Sequence, residues 1–158
     1  MPWKNGGGST RELARHPAHQ PDDGTFDWRL SVADVAADGP FSSFPGLDRI
    51  LVLLSGNGMA LSGVGTLRAP LDRCEFPGET PVHAVLLDGP TRDLNLMWRR
   101  DRWRVGAEGA LRIDYVVAGS LEIDGHALGE GDVAVSPGGV RPTGDGIAVH
   151  FLLSPVDG

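Results

Sequence analysis

The sequence predicts an all-β domain, a barrel or sandwich assembled from many short strands. Three observations lead there. Short runs that alternate apolar with polar, or are apolar throughout, recur at close spacing from Phe26 to Leu153. Turn-forming residues separate them, with 23 glycines and 12 prolines among 158 residues and no triplet period. No segment holds a helical period over about ten residues.

The totals bound the function. The length suits one domain, or two small halves sharing one core. A net charge of −7 and a pI near 5.1 argue against nucleic-acid binding, which needs a basic face. Cys74 is the only cysteine, so neither an internal disulfide nor a thiolate zinc site is available. No apolar run approaches about 18 residues, so no membrane-spanning helix is expected. The N-terminus shows no apolar signal core, and a cytoplasmic location is the expectation.

Taken in order, the chain opens with Trp3-Lys4-Asn5-Gly6-Gly7-Gly8-Ser9-Thr10-Arg11-Glu12. Three adjacent glycines let a backbone approach a ligand closely, and Lys4, Asn5 and Arg11 offer donors to an anion. A flexible tail with a glycine hinge fits the same residues. Residues 13–23 read as a polar loop, in which His16 and His19 suit solvated surface better than a metal pair. Phe26-Asp27-Trp28-Arg29-Leu30-Ser31-Val32 alternates and predicts a strand, with Arg29 and Ser31 on the face opposite Trp28. Residues 31–37 are ambiguous. Residues 38–46 form a turn-rich connector carrying Phe41, Ser42 and Phe44.

Arg49-Ile50-Leu51-Val52-Leu53-Leu54 predicts a buried strand, Ser55-Gly56-Asn57-Gly58 a hairpin turn, and Met59-Ala60-Leu61 the returning strand. Further strands are predicted at 66–68, 73–76, 82–87 and 93–98. In the last of these Asp93, Asn95 and Met97 share one face. The cationic run from Arg99 to Arg104 reads as a solvated edge strand. Residues 112–125 predict strand, turn, strand. Aligning Leu54-Ser55-Gly56 with Val117-Ala118-Gly119 superposes two such arrangements, so the halves 26–98 and 103–153 read as approximate repeats of one compact unit, 1–158. Strands at 133–135 and 147–153 complete the second.

Polar groups stand beside aromatics in several of these blocks: Trp3, Lys4 and Asn5; Arg11; Trp28 and Arg29; Ser42 and Phe44; Arg49; Asp93 and Asn95. Gathered at one barrel mouth, with residues 1–15 contributing, they would grip a small carboxylate by charge-assisted hydrogen bonds. Lys4 and Arg29 are the expected anchors. Arg29 and Arg49 paired with Asp27 and Asp48 at the surface, and Asp93 with Asn95 capping a turn, are the plainer alternatives.

The stretch Tyr115-Val116-Val117-Ala118-Gly119-Ser120-Leu121-Glu122-Ile123, followed by Gly131-Asp132-Val133-Ala134-Val135-Ser136-Pro137-Gly138-Gly139, resembles the cupin signature of double-stranded β-helix barrels. That pattern's metal-binding histidines are missing here, and His83, His126 and His150 are scattered singly, so no metal or other cofactor is expected. A resemblance covering nearly the whole chain is to the HutD/Ves family. It rests on the opening block 3–12, then Phe26-Asp27-Trp28-Arg29-Leu30-Ser31-Val32-Ala33, Gly39-Pro40-Phe41-Ser42-Ser43-Phe44-Pro45-Gly46-Leu47-Asp48-Arg49 and Asp93-Leu94-Asn95-Leu96-Met97, in that order. The resemblance implies a bicupin, two fused cupin barrels, that binds a small acidic metabolite and acts as a regulator of histidine utilisation. Urocanate, formylglutamate and formate are the ligands it suggests, and a homodimer is the assembly it allows. In the family the Trp-Lys-Asn-Gly block usually follows a further strand, whereas Met1 nearly abuts it here. A missing strand would leave a sheet edge exposed. A metal-free hydrolase or isomerase using Lys4 and Asp93, or an interaction module presenting Phe41, Phe44, Trp98 and Trp103, are the competing functions.

Overall fold

Strand alternation fixes which side chains go inward, and long-range pairing fixes what they meet there. The computed structural model describes residues 1–18 and 25–156. These fall into two compact units, Met1–Asp101 and Arg102–Gly158. Of the two histidines read as solvated surface at 16 and 19, His19 lies outside the described residues; His16 stacks on Trp28 with ring centroids 6.2 Å apart.

The first unit holds β1 (Gly8–His16), β2 (Trp28–Val35), β3 (Gly39–Pro40), β4 (Leu47–Ser55), β5 (Met59–Leu61), β6 (Gly65–Leu67), β7 (Arg73–Pro77), β8 (His83–Leu86) and β9 (Thr91–Arg99). One sheet runs β1-β2-β9-β4-β7 and the other β3-β8-β5-β6. Its core draws Val35, Leu51, Leu53 and Phe76 from the first sheet and Met59, Leu61, Leu67 and Ala84 from the second. Both faces of β9 are buried. Leu94, Leu96 and Trp98 stand on one, and Asp93, Asn95 and Met97 on the other.

The second unit holds β10 (Trp103–Gly106), β11 (Leu111–Ala118), β12 (Ser120–Ile123), β13 (His126–Gly129), β14 (Val133–Pro137) and β15 (Ile147–Pro155). Its larger sheet runs β10-β15-β11-β14, and β12 pairs with β13. Asp124 and Gly125, at φ 50° and 79°, close the β12–β13 hairpin in the two-residue left-handed turn that Asp-Gly favours.

Three sequence expectations need correction. Ser55 to Gly58 is not a hairpin turn: β4 pairs with β7 and β9, while β5 pairs with β6 and β8. Gly56 and Gly58 do adopt positive φ, but the bend carries the chain from one sheet into the other. The loop expected at 13–16 is strand, hidden from a period-2 reading by the register shift between Glu12 and Ala14. The cationic run divides: Arg99 ends β9, residues 100–102 turn, and only Trp103 onward forms an edge strand against β15. Arg100 in that turn holds Asp48, Glu79 and the Leu47 carbonyl.

Gly138 shows how tightly the second unit is closed. A Cβ there would lie 1.8 Å from the Gly109 carbonyl oxygen, a backbone atom that cannot swing aside. Gly138→Ala is expected to destabilise by about 3 kcal/mol or more, read as a lowered urea midpoint.

Candidate functional site

The site begins with polar residues at inward positions of apolar strands. On the five-stranded sheet, Arg49 pairs in register with Met97 and Phe76, and Leu51 with Asn95 and Cys74. Leu53 pairs with Asp93, while Ser31 faces Asn95 and Val35 faces Thr91 on β2. Leu51, Leu53, Phe76 and Val35 belong to the core, so Arg49, Asp93, Asn95, Ser31 and Thr91 point into the same interior. All five are buried.

Arg49 is 6% exposed. Its guanidinium carbon lies 5.3 Å from the Phe41 ring centre, 5.5 Å from Phe44 and 5.1 Å from Phe76. Three ring faces attract the cation and exclude water from it. Its Nε has no hydrogen-bond partner, nor do Asn95 Oδ1, Ser31 Oγ and Thr91 Oγ1. Orphaned polar atoms of this kind are rare inside proteins, because each forgoes hydration without compensation.

The electrostatics follow from burial. Desolvation lowers the Arg49 pKa to about 10, opposed by the charges of Asp93 and then Cys74. Desolvation raises Asp93 to about 7, opposed by Arg49 and reinforced by Asp34. Cys74, half-buried on β7 opposite Leu51, is raised to about 11 by desolvation and stays a thiol, which makes it a poor nucleophile. No hydrogen bond joins Arg49 to Asp93; they act on each other through space.

Of the residues singled out from sequence, Phe44, Arg49, Asp93 and Asn95 come together here. Asp93 and Asn95 lie within β9 rather than capping a turn. Trp3 reaches the edge of the group: its ring meets Phe41 edge-on at 6.3 Å, and its Nε1 donates to Thr10 Oγ1 at 2.7 Å. Arg29 shares the inward face at the level of Met97, where its Nε donates to Glu12 Oε1 at 2.9 Å. The others lie apart. Lys4, Asn5, Arg11 and Ser42 are exposed, and Asn5 Oδ1 accepts from the Gly7 amide at 2.8 Å, folding the glycine stretch into a local turn. Trp28 lies opposite Trp98 and alternates with Arg29, so it occupies the other face of the sheet. A single mouth lined by Lys4, Arg29 and Asn95 is therefore not what the structure shows; Lys4 is outside, Arg29 is ion-paired and Asn95 is inside.

Phe41, Phe76, Ser31 and Thr91 were not picked out as ligand groups from sequence. Ser31 and Thr91 were readable as members of the alternations containing Arg29 and Asp93, but Phe76 joins only through strand pairing. The second unit has its own buried arginine. Arg112 lies between Leu152 and Ser136 on β11, as Arg49 lies between Met97 and Phe76 on β4. Arg112 is closed by Asp114 two residues along, with Nε donating to Oδ2 at 2.9 Å and Nη2 to Oδ1 at 3.0 Å.

Open grooves lie elsewhere. One of about 310 Å³ is lined by Ile123, His126 and Leu128, and one of about 550 Å³ by Phe26, Pro45 and Arg99. Arg49 is buried, with Phe41 and Phe44 of the 41–46 connector against its guanidinium. Among the described residues no three His, Cys, Asp or Glu side chains are grouped to hold a metal ion, and no helix is long and apolar enough to cross a membrane.

Comparison with known proteins places the chain in a family. A protein of Pseudomonas putida described as an uncharacterized 21.2 kDa protein in the hutC 3′ region is 45% identical over 107 residues, covering 66% of this chain and 55% of that protein. The chain thus matches about half the length of that relative. Protein Ves of Cronobacter sakazakii is 38% identical over 140 residues, covering 80% of this chain and 75% of that one. The structure of HutD from Pseudomonas fluorescens SBW25 in a formate condition superposes with a TM-score of 0.82 at 31% identity, covering 98% of this chain and 92% of that one. A Cupin 2 conserved barrel domain protein from Leptotrichia buccalis shares the fold at a TM-score of 0.55 and 12% identity, covering 97% of this chain and 90% of that one. The HutD family model matches residues 1–128. The cupin architecture and the family resemblance expected from sequence are therefore both found, and the chain belongs to the HutD family.

Proposed function

We propose that the protein is a metal-independent receptor for a small carboxylate seated on Arg49, and that its occupancy regulates histidine catabolism. The observation that carries this is the buried Arg49, ringed by three phenylalanines, with its Nε–H unpartnered and the Ser31 hydroxyl unpartnered on the same face. A buried cation with open donors is costly in an empty protein and well suited to an anion. Each charge-assisted hydrogen bond contributes roughly 1.5–3 kcal/mol, so two or three hold a small acid at micromolar to millimolar affinity after association costs. The burial of Arg49 favours a compact ligand, and formate, the condition of the P. fluorescens HutD structure, is a small one. The regulatory part draws on the family and on the hutC-region relative.

A thermal-shift panel of formate, urocanate, formylglutamate and glutamate tests this reading. At a ligand concentration about 100-fold above Kd, stabilisation by about 2.7 kcal/mol is expected. Arg49→Met retains most of the volume and removes the donors. It is expected to fold with equal or greater stability, since a buried unpaired charge is replaced by an apolar chain, and to lose the ligand response entirely. Lys4→Ala is expected to keep it. Absence of any wild-type shift above millimolar concentration, or a full response from Arg49→Met, contradicts the assignment.

A further inference from the structure

One buried titratable group on the Arg49 face has no task in ligand capture as described so far. Asp93 is 2% exposed, inward on β9, and in register between Ala33 on β2 and Leu53 on β4. It feels the charge of Arg49 and makes no hydrogen bond to it. The second unit shows the alternative. There Asp114 grips Arg112 through two hydrogen bonds on one strand, and the arginine has little left to offer a ligand. In the first unit the carboxyl stands on the adjacent strand, and the pair is open.

An open pair has two states with opposite consequences. With Asp93 ionised, its charge offsets that of Arg49 and repels an incoming anion. With Asp93 protonated, the whole Arg49 charge is available. The converse holds by linkage: an anion on Arg49 cancels the field that favours the Asp93 carboxylate.

We propose that capture at Arg49 is proton-linked, so that seating a small monocarboxylate there draws one proton from solvent onto the Asp93 carboxylate. The site then takes up the equivalent of the neutral acid, and Asp93 reports pH to the same receptor. This rests on Arg49 being the anion site. The balance is simple: one anion and one proton enter, and no bond is made or broken other than the O–H on Asp93.

The surrounding charges leave Asp93 as the group that titrates. From β4 it meets Arg49 alone, and from β7 Cys74, which stays a thiol up to about pH 11. On β2, Asp34 adds repulsion from the outer face, where it pairs with Arg92 at 2.8 Å. Arg92 is the neighbour of Asp93 on β9 and points the other way. On β1 and β2, Glu12, Arg15 and Arg29 form an ion-paired cluster. Burial brings the Asp93 transition to about 7, so the linkage operates near neutral pH.

Calorimetric titration of the full chain with sodium formate, in phosphate and in Tris, tests this. Formate is ionised throughout, so its own titration does not intrude. The expected Kd is flat below about pH 6 and rises toward tenfold per pH unit above about pH 7.5. The dependence of the heat on buffer ionisation enthalpy is expected to report close to one proton taken up at about pH 8. Asp93→Asn is expected to bind with a Kd independent of pH and no proton uptake. Wild-type binding with flat Kd and no uptake overturns the linkage while leaving Arg49 as the receptor. A pH dependence that persists in Asp93→Asn assigns the proton elsewhere and also overturns it. No binding at any pH removes the Arg49 site and the linkage together. Should Asp93→Asn fail to fold, the wild-type proton count alone decides.

Discussion

Asp114→Asn is expected to destabilise the protein by about 3–5 kcal/mol, because it strands the Arg112 guanidinium in a dry interior. Asp114 is fully buried and Arg112 is 6% exposed, and the two hydrogen bonds between them satisfy both forks. The contrast with Arg49 makes the prediction sharp. Arg49 already sits without a bonded carboxylate, and its packing against three rings holds it in place. Removing the partner of Arg112 therefore costs more than removing Arg49 itself. Replacing both members, as Arg112→Met with Asp114→Leu, is expected to recover most of the loss, since an apolar pair of similar volume needs no hydration. Urea titrations of the two singles and the double complete the cycle. Equal and additive losses would show that the pair is not closed as described.

Asp93→Asn is expected to act in the opposite direction. Burial raises the Asp93 pKa from an ordinary 3.8 to about 7 in the folded protein. The folded state therefore holds this proton more tightly than the unfolded chain does. The favourable contribution is complete below the unfolded value, falls as pH rises from about 4 to about 7, and is gone above that. At about pH 8 the wild type thus carries a penalty of about 4 kcal/mol that an uncharged asparagine does not. Asp93→Asn should be more stable by about that amount at about pH 8 and indistinguishable from wild type near about pH 4. Equilibrium unfolding at the two pH values reads this directly. A variant less stable than wild type at both would mean that Asp93 makes a specific bond.

Much of the fold was legible in the sequence, and the physics explains the rest. The runs 26–32, 49–54 and 93–98 stood out because alternation and apolar runs are local signals, and they overlap the strands at 28–35, 47–55 and 91–99. Their pairing was not local. Gly56 and Gly58 have the positive φ of a tight turn, yet the strands they join enter different sheets, which the chain decides by packing distant segments. β1 was missed whole: Gly8 to Glu12 read as part of a glycine-rich loop, and one irregularity after Glu12 breaks the period of the remainder.

The site shows the same division. Arg49, Asp93 and Asn95 were visible as polar residues in strands otherwise rich in leucine. Trp28 and Arg29 are adjacent in one strand, so alternation alone separates them. The opening block misled for a different reason: its polar side chains and glycines fold the backbone into a turn, with Asn5 capping Gly7, and place Lys4 in solvent. Phe76 belongs to the cage only through the β4–β7 pairing, and no short window of sequence contains that fact.

A crystal structure of the protein soaked in formate or urocanate examines the Arg49 receptor most directly. The expected result is carboxylate density about 2.7–2.9 Å from the Arg49 guanidinium, inside the ring formed by Phe41, Phe44 and Phe76. A fully occupied carboxylate bound at Lys4 or Arg29, with nothing beside Arg49, would contradict it.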